Sequence, residues 1–284
     1  MTCTQDSLRS LSLTVAACGA CLAFAGLSNP ARAADASPWA DDLRSAVRLI
    51  AGSPSAGAAR AGIEIKLQPG WHTYWRYPGD SGVPPRFTFD GSDNLANATV
   101  QFPVPRAFTD ESGTILGYKG DVVFPVRVTP KQAGKPVTLR LKIEYAVCEK
   151  MCVPVEARTE LKLGNNASTE DRALSAAEAR VPKPLPVSRA GLKVSRANDA
   201  KKPLILVDLP ASPPGGELHL FVEGPTPEWA LPIPKPAPGA PPGRAYFSFQ
   251  LDGLPPGTDP KKPADLTFTV VRGDKAAEVK THLD

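Results

Sequence analysis

The chain has 284 residues, room for one large domain or two ordinary ones, and its 42% hydrophobic and 22% charged content excludes wholesale disorder. Thirty-two prolines exclude a helical bundle, because proline breaks helix interiors. A net charge of +4, spread along the chain, is far from a nucleic-acid footprint, and three histidines cannot furnish a histidine-rich metal site unless nearly all converge.

Residues 1–33 read as an export signal. Arg9 gives a positive start, Leu11 to Leu27 is a 17-residue run without charge, and Ala31-Arg32-Ala33 supplies the small-residue cleavage pattern ahead of Ala34. The run is short for a bilayer span of roughly 20 residues. Val15-Ala16-Ala17-Cys18 resembles a lipobox, but the apolar run continues past Cys18 to the better cleavage site. Cleavage there removes Cys3, Cys18 and Cys21 and leaves Cys148 and Cys152, an even pair in an oxidising compartment. Loss of Arg9, Arg32 and Asp6 moves the net charge only to +3.

From Gly62 onward, period-2 patterns appear between turn residues. Ile63, Ile65 and Leu67 share a face, as do Phe87 and Phe89, and then Val100, Phe102 and Val104. Runs over 122–128, 137–146 and 153–163 complete an antiparallel sandwich. Pro103, Pro105, Pro125 and Pro154 mark edge strands or strand ends. In the aromatic stretch, Trp71, Thr73, Trp75 and Tyr77 fall on one face, and His72, Tyr74 and Arg76 on the other. Trp71 and Trp75 are read as core.

Over 168–180, Ser168 and Asp171 frame a capping box that leads into a short helix, stopped by Pro182. Pro182, Pro184 and Pro186 then make a stiff linker. Strand patterns resume at 192–194, 204–209, 218–222, 246–251, 266–271 and 276–283, with the proline-dense 232–242 as a loop. The expected order is a signal (1–33), a first sandwich (38–165), helix and linker (166–186), and a second, smaller β-sandwich (187–284). The second half gathers no reactive side chains, and neither His219 nor His282 is assigned a function.

The chemistry concentrates at Cys148-Glu149-Lys150-Met151-Cys152. On one continuous strand these cysteines would stand roughly 13 Å apart, and a disulfide needs about 4.4–6.8 Å. The strand-like flanks therefore call for a reversal at residues 149–151, with the cysteines opposed at a hairpin mouth. Three readings stand: a redox pair, a local staple, and a soft Cu(I) site with Met151. A staple closing so small a ring contributes only about 2 kcal/mol. Lys150 is a cation that favours a thiolate at either cysteine, and His72 is a packing or surface residue with a second reading as a thiolate neighbour.

Three motifs, Gly70-Trp-His-Thr-Tyr-Trp-Arg-Tyr-Pro-Gly-Asp-Ser-Gly82, Gly117-Tyr-Lys-Gly120 and Tyr145-Ala-Val-Cys-Glu-Lys-Met-Cys-Val-Pro-Val-Glu156, occur in that order. Together they resemble the N-terminal periplasmic domain of DsbD-type protein-disulfide reductases, and more closely the relatives in suppressor-of-copper-sensitivity systems. The resemblance covers about 38–165. It implies an immunoglobulin-like redox domain that takes electrons from a membrane-linked partner and passes them to thioredoxin-like periplasmic disulfide proteins, with no cofactor. It further implies a loop that shields the sulfurs under an aromatic residue. Tyr118, followed by Lys119 and preceded by the acidic Asp110-Glu111, is the matching candidate. Carry-over makes Cys152 the cysteine joined to partners and Cys148 the resolving one. Two departures exist. Three residues separate the cysteines here against five in DsbD, and the transmembrane and thioredoxin-like domains do not follow, so the electron donor is expected in trans.

A periplasmic exchange protein is thus expected, against the alternative of a non-catalytic, copper-tolerance-related binding module with a structural hairpin disulfide. The signal also predicts that intact-mass measurement of the exported protein finds an N-terminus near Ala34 and no acyl chain. A lipid-modified Cys18 at the terminus would contradict this.

Overall fold

Alternating apolar and polar runs, cut by glycine and proline, fold into strands nearly throughout the computed structural model. It describes residues 34–284 except 56–57, 111–112, 165, 198–201, 214–215 and 274, so the expected signal over 1–33 lies outside the described residues. The first half forms β1 (Ala40–Asp41), β2 (Ser45–Ser55), β3 (Ala58–Leu67), β4 (His72–Gly79), β5 (Arg86–Thr88), β6 (Leu95–Val100), β7 (Arg106–Asp110), β8 (Gly113–Lys119), β9 (Val122–Pro130), β10 (Val137–Cys148) and β11 (Cys152–Leu163). Among the described residues one sheet runs β1-β2-β3-β9-β6 and the other β11-β10-β4-β8-β7, with β5 also pairing β10.

The two sheets bury one core between them. Leu49, Ile63, Ile65 and Phe124 meet Trp75, Leu116, Leu139, Ile143 and Val147, every one of them fully buried. The result is an immunoglobulin-like sandwich. β2 escapes the alternation rule because Leu49 to Gly52 are buried in succession. Pro125 does not lie on an edge strand, since β9 runs between β3 and β6. Its carbonyl accepts from the Gln101 amide at 2.7 Å, just beyond the end of β6, so its missing N–H faces a strand that has already stopped.

The 166–186 stretch, expected as a helix and a stiff linker, is fastened to both halves. α1 (Asp171–Ala179) sets Leu174 over Gly52 of β2, while Arg60 of β3 pairs with Asp171 and Glu178 at 3.2 and 2.7 Å. The capping box is incomplete, because the Ser168 hydroxyl accepts from the Glu170 amide at 3.0 Å rather than from that of Asp171. Asp171 instead accepts from the Ser53 amide at 2.9 Å, and the Ser168 hydroxyl donates to the Ala51 carbonyl at 2.6 Å. Helix docking thus shares the side chains that local capping uses.

The second half comprises β12 (Lys183–Pro184), α2 (Val187–Ala190), β13 (Lys193–Arg196), β14 (Leu204–Pro210), β15 (Leu218–Glu223), β16 (Lys235–Ala237), β17 (Arg244–Gln250), β18 (Ala264–Arg272) and β19 (Lys275–Leu283). Its sheets, β12-β19-β18-β15 and β13-β14-β17-β16, enclose a core of Ile205, Val207, Leu220, Phe249, Phe268 and Val279. Of the expected linker prolines, Pro184 enters this sheet, because β12 pairs with β19, and Pro186 stands at the start of α2. The 232–242 stretch is likewise more than a loop. β16 forms inside it, at a sheet edge where Pro236 loses no ladder bond. Phe221 and Val271 of this second sandwich join the core of the first, and residues 33–284 form one compact unit. No helix among the described residues is long and apolar enough to cross a membrane.

Candidate functional site

β10 and β11 pair antiparallel without a slip from Val137↔Leu163 to Cys148↔Cys152. Residues 149–151 make the reversal, and the cysteines are joined in a disulfide with Cα atoms 4.1 Å apart. This is the hairpin-mouth geometry that the strand-like flanks demand. The two sulfurs differ in access. Cys148 is 3% exposed, whereas Cys152, on the edge strand, is exposed, and Met151 beside it is 74% exposed.

What buries Cys148 is a second, small apolar cluster on the outer face of the sheet. Odd-numbered residues of β10 face the sandwich core, yet Ala146 and Cys148, on the opposite face, are buried too. Tyr74 and Ile115 pack with them, and Phe108 of β7 closes the cluster. A strand covered on both faces loses its alternation, which is why His72 to Trp75 and Tyr145 to Cys148 read as continuous buried runs.

Tyr74 is the residue at the sulfurs. Its hydroxyl lies 2.8 Å from Cys148 Sγ and 3.2 Å from Cys152 Sγ. Neither sulfur of a disulfide carries a proton, so the hydroxyl is the donor. The ring is held in place by backbone. A Cβ at Gly82 (φ +122°) would stand 2.2 Å from Tyr74 Cε1, so only glycine lets the loop after β4 lie on the ring. On the other side Gly117 faces Tyr74 across the β4–β8 ladder, and a Cβ there would meet the Thr73 carbonyl at 2.2 Å.

Tyr118, the expected cap, lies elsewhere. It pairs with Thr73, and that parity turns its ring into the sandwich core, edge-on to Phe124 with centroids 5.3 Å apart. Its hydroxyl donates to the Pro103 carbonyl at 2.7 Å, and burial pushes the phenol well above its ordinary pKa. The aromatic residue at the sulfurs is Tyr74 instead, and Phe108 packs against the cluster that buries Cys148.

His72 is placed at the site. It pairs with Cys148 across β4 and β10, is 5% exposed, and packs edge-on to Tyr74 and Phe108 with centroids 5.5 and 4.9 Å away. Lys119 pairs with His72 and sets its ammonium 4.4 Å from the Phe108 ring centroid, a cation–π contact on the outside of the cover. Lys150 is exposed in the hairpin loop, and Glu111 lies outside the described residues. Among the described residues no group of three or more His, Cys, Asp or Glu side chains could hold a metal ion. The residues missed by sequence reasoning are Tyr74, Phe108 and Ile115. The signal for Tyr74 is its parity, since His72 and Tyr74 share a face once His72 is set opposite Cys148.

Comparison with known proteins agrees with the motifs. Residues 43–164 match the family described as thiol:disulfide interchange protein DsbD, N-terminal. The fold is similar to the crystal structure of the N-terminal periplasmic domain of ScsB from Proteus mirabilis, with a TM-score of 0.65 at 20% identity over 88% of this chain and 98% of that one. No curated protein matches.

The asymmetry of the sulfurs predicts the order of alkylation. After mild reduction, a limiting pulse of iodoacetamide should modify Cys152 ahead of Cys148 by about tenfold or more, because thiolate reactivity follows access. Peptide mass mapping reads the ratio, and equal labelling would contradict the arrangement.

Proposed function

We propose, taking residues 43–164 as a domain of the DsbD N-terminal type, that this chain is an exported thiol-disulfide exchange protein that relays electron pairs through Cys148 and Cys152. The observation that carries the reading is a disulfide between an exposed residue, Cys152, and a buried one, Cys148, whose sulfur lies against a hydroxyl donor. A staple has no need of that asymmetry. Exchange does, because an incoming thiolate must approach one sulfur in line with the bond it breaks.

The cycle balances in two halves. A thiolate of a reduced donor attacks Cys152 Sγ. The Cys148–Cys152 bond breaks, and Cys148 leaves as a thiolate beneath the Tyr74 hydroxyl. A hydrogen bond to a developing anion is of the strong, charge-assisted kind, so Tyr74 favours this sulfur as the leaving group. The donor's second thiol then releases Cys152, and the donor departs oxidised by two electrons. In the second half the Cys152 thiolate attacks a substrate disulfide, and Cys148 resolves the mixed disulfide by attacking Cys152 Sγ. The substrate departs as a dithiol, and the Cys148–Cys152 bond is restored.

The partners follow from the family reading: a membrane-embedded DsbD-type donor, and thioredoxin-like disulfide proteins of the periplasm as acceptors. The signal pattern of residues 1–33 supports the same compartment. Cys148→Ala, which keeps the exposed cysteine but removes the resolving one, should trap mixed disulfides with such partners on non-reducing gels from an exporting host. Cys152→Ala should trap few or none. Trapping through Cys148 alone would reverse the roles, and trapping by neither variant would favour a binding module with a structural bridge.

A further inference from the structure

β4 performs two tasks within six residues. Its first three residues pair with β8, from His72↔Lys119 to Tyr74↔Gly117, and the next pair is Gly79↔Ile115. The register shifts between Tyr74 and Gly79, so the strand leaves its neighbour directly after the residue that touches the sulfurs. Over the shifted stretch the second sandwich holds it. The Trp75 and Phe221 ring centroids are 5.9 Å apart, and the Tyr77 hydroxyl donates to the Leu231 carbonyl. Arg76 donates from Nε and Nη2 to Glu223 of β15 at 2.8 and 2.7 Å, and from Nη2 to Glu278 of β19 at 2.8 Å.

This ion cluster is largely withdrawn from water, with side-chain exposures of 27% for Arg76, 19% for Glu223 and 22% for Glu278. Burial works against the guanidinium charge, but hydrogen bonds and attraction from Glu223 and then Glu278 more than offset it, and the Arg76 pKa is raised. The guanidinium also lies 4.6 Å from the Trp75 ring centroid. A planar fork bound by two carboxylates and stacked on an indole has little freedom left. Arg76 falls on the same face of β4 as Tyr74, two residues on.

We propose that Glu223 and Glu278, acting through Arg76, are positioning residues for the disulfide: residues 187–284 hold β4 so that the Tyr74 hydroxyl stays aimed at the Cys148 and Cys152 sulfurs. The inference rests on the exchange reading of that site and gives the second sandwich a role in it. A hydroxyl that serves two sulfurs at 2.8 and 3.2 Å tolerates little displacement of its ring. Ladder bonds to β8 fix the strand on one side of Tyr74, and the Arg76 cluster fixes it on the other.

The test is a double-mutant cycle on the full exported protein, read as the rate at which dithiothreitol reduces the disulfide across neutral to alkaline pH. Tyr74→Phe should slow reduction by roughly tenfold, the loss expected for one hydrogen bond to a developing anion. Glu223→Gln with Glu278→Gln should slow it by roughly threefold to tenfold with the same pH profile as Tyr74→Phe, and should add less than about twofold in the Tyr74→Phe background, since both changes remove one interaction. Glu223→Asp, which keeps the charge, should recover most of the wild-type rate. If the double carboxamide variant does not fold, Glu223→Gln alone in both backgrounds carries the same comparison. A folded variant that reacts at the wild-type rate, or a slowing that multiplies fully with that of Tyr74→Phe, would overturn the positioning role. A wild-type disulfide that resists dithiothreitol altogether would overturn the exchange reading itself, so the two failures are told apart.

Discussion

The register of the β10–β11 hairpin is the constraint on which the rest of the site depends. Side chains alternate across a strand, so a slip of one residue would turn Val147 outward and drive Cys148 into the sandwich core. The unbroken ladder from Val137↔Leu163 prevents this, because Leu139, Leu141, Ile143 and Tyr145 would all have to leave the core together. Core burial therefore fixes which face the disulfide occupies, and the three-residue turn fixes where along the hairpin it lies. The same register sets Cys148 opposite His72, which brings β4 and its tyrosine to the sulfurs.

The second consequence concerns energy rather than geometry. Closing a five-residue ring restricts the unfolded chain by only about 2 kcal/mol, and a sandwich with two extensive sheets has a core of its own. The structure around the bridge reflects reactivity more than stability. One sulfur is enclosed by Tyr74, Ile115, Ala146 and Phe108, and the other is left at an open edge. The ring of Tyr74 is held by contacts that tolerate no Cβ at Gly82, and its strand is anchored by a partly buried arginine two residues on. These features concern the aim of a hydroxyl, and a bridge that served only to tie a hairpin would need none of them.

Much of this was legible in the sequence, for reasons that are local. Three residues between the cysteines and strand-like flanks favour a hairpin mouth over a helical turn as the geometry that closes the bond, and Ile63, Ile65 and Leu67 declare their face by simple alternation. What failed to show depends on pairing between distant segments. Tyr118 and Tyr74 are both tyrosines in recognisable motifs, and only the β4–β8 and β4–β10 registers decide that one faces Phe124 and the other the sulfurs. β2 was hidden because residues on both of its faces are buried, and the expected capping box at Ser168 is not completed because its side chains also bind β2. The Arg76 cluster joins residues 147 and 202 positions apart, a separation at which charge patterning along the chain says nothing.

Exchange and stapling part most sharply in the stability of the reduced pair, because a structural bridge is thermodynamically resistant to glutathione and an exchangeable one is not. Equilibrating the exported protein with defined thiol-disulfide buffers measures this as the reduction potential of Cys148–Cys152. A relay with an open Cys152 and a Cys148 thiolate stabilised by the Tyr74 hydroxyl predicts a potential above about −300 mV, within reach of periplasmic dithiols. A value below about −300 mV would mark the bridge as structural and contradict the account.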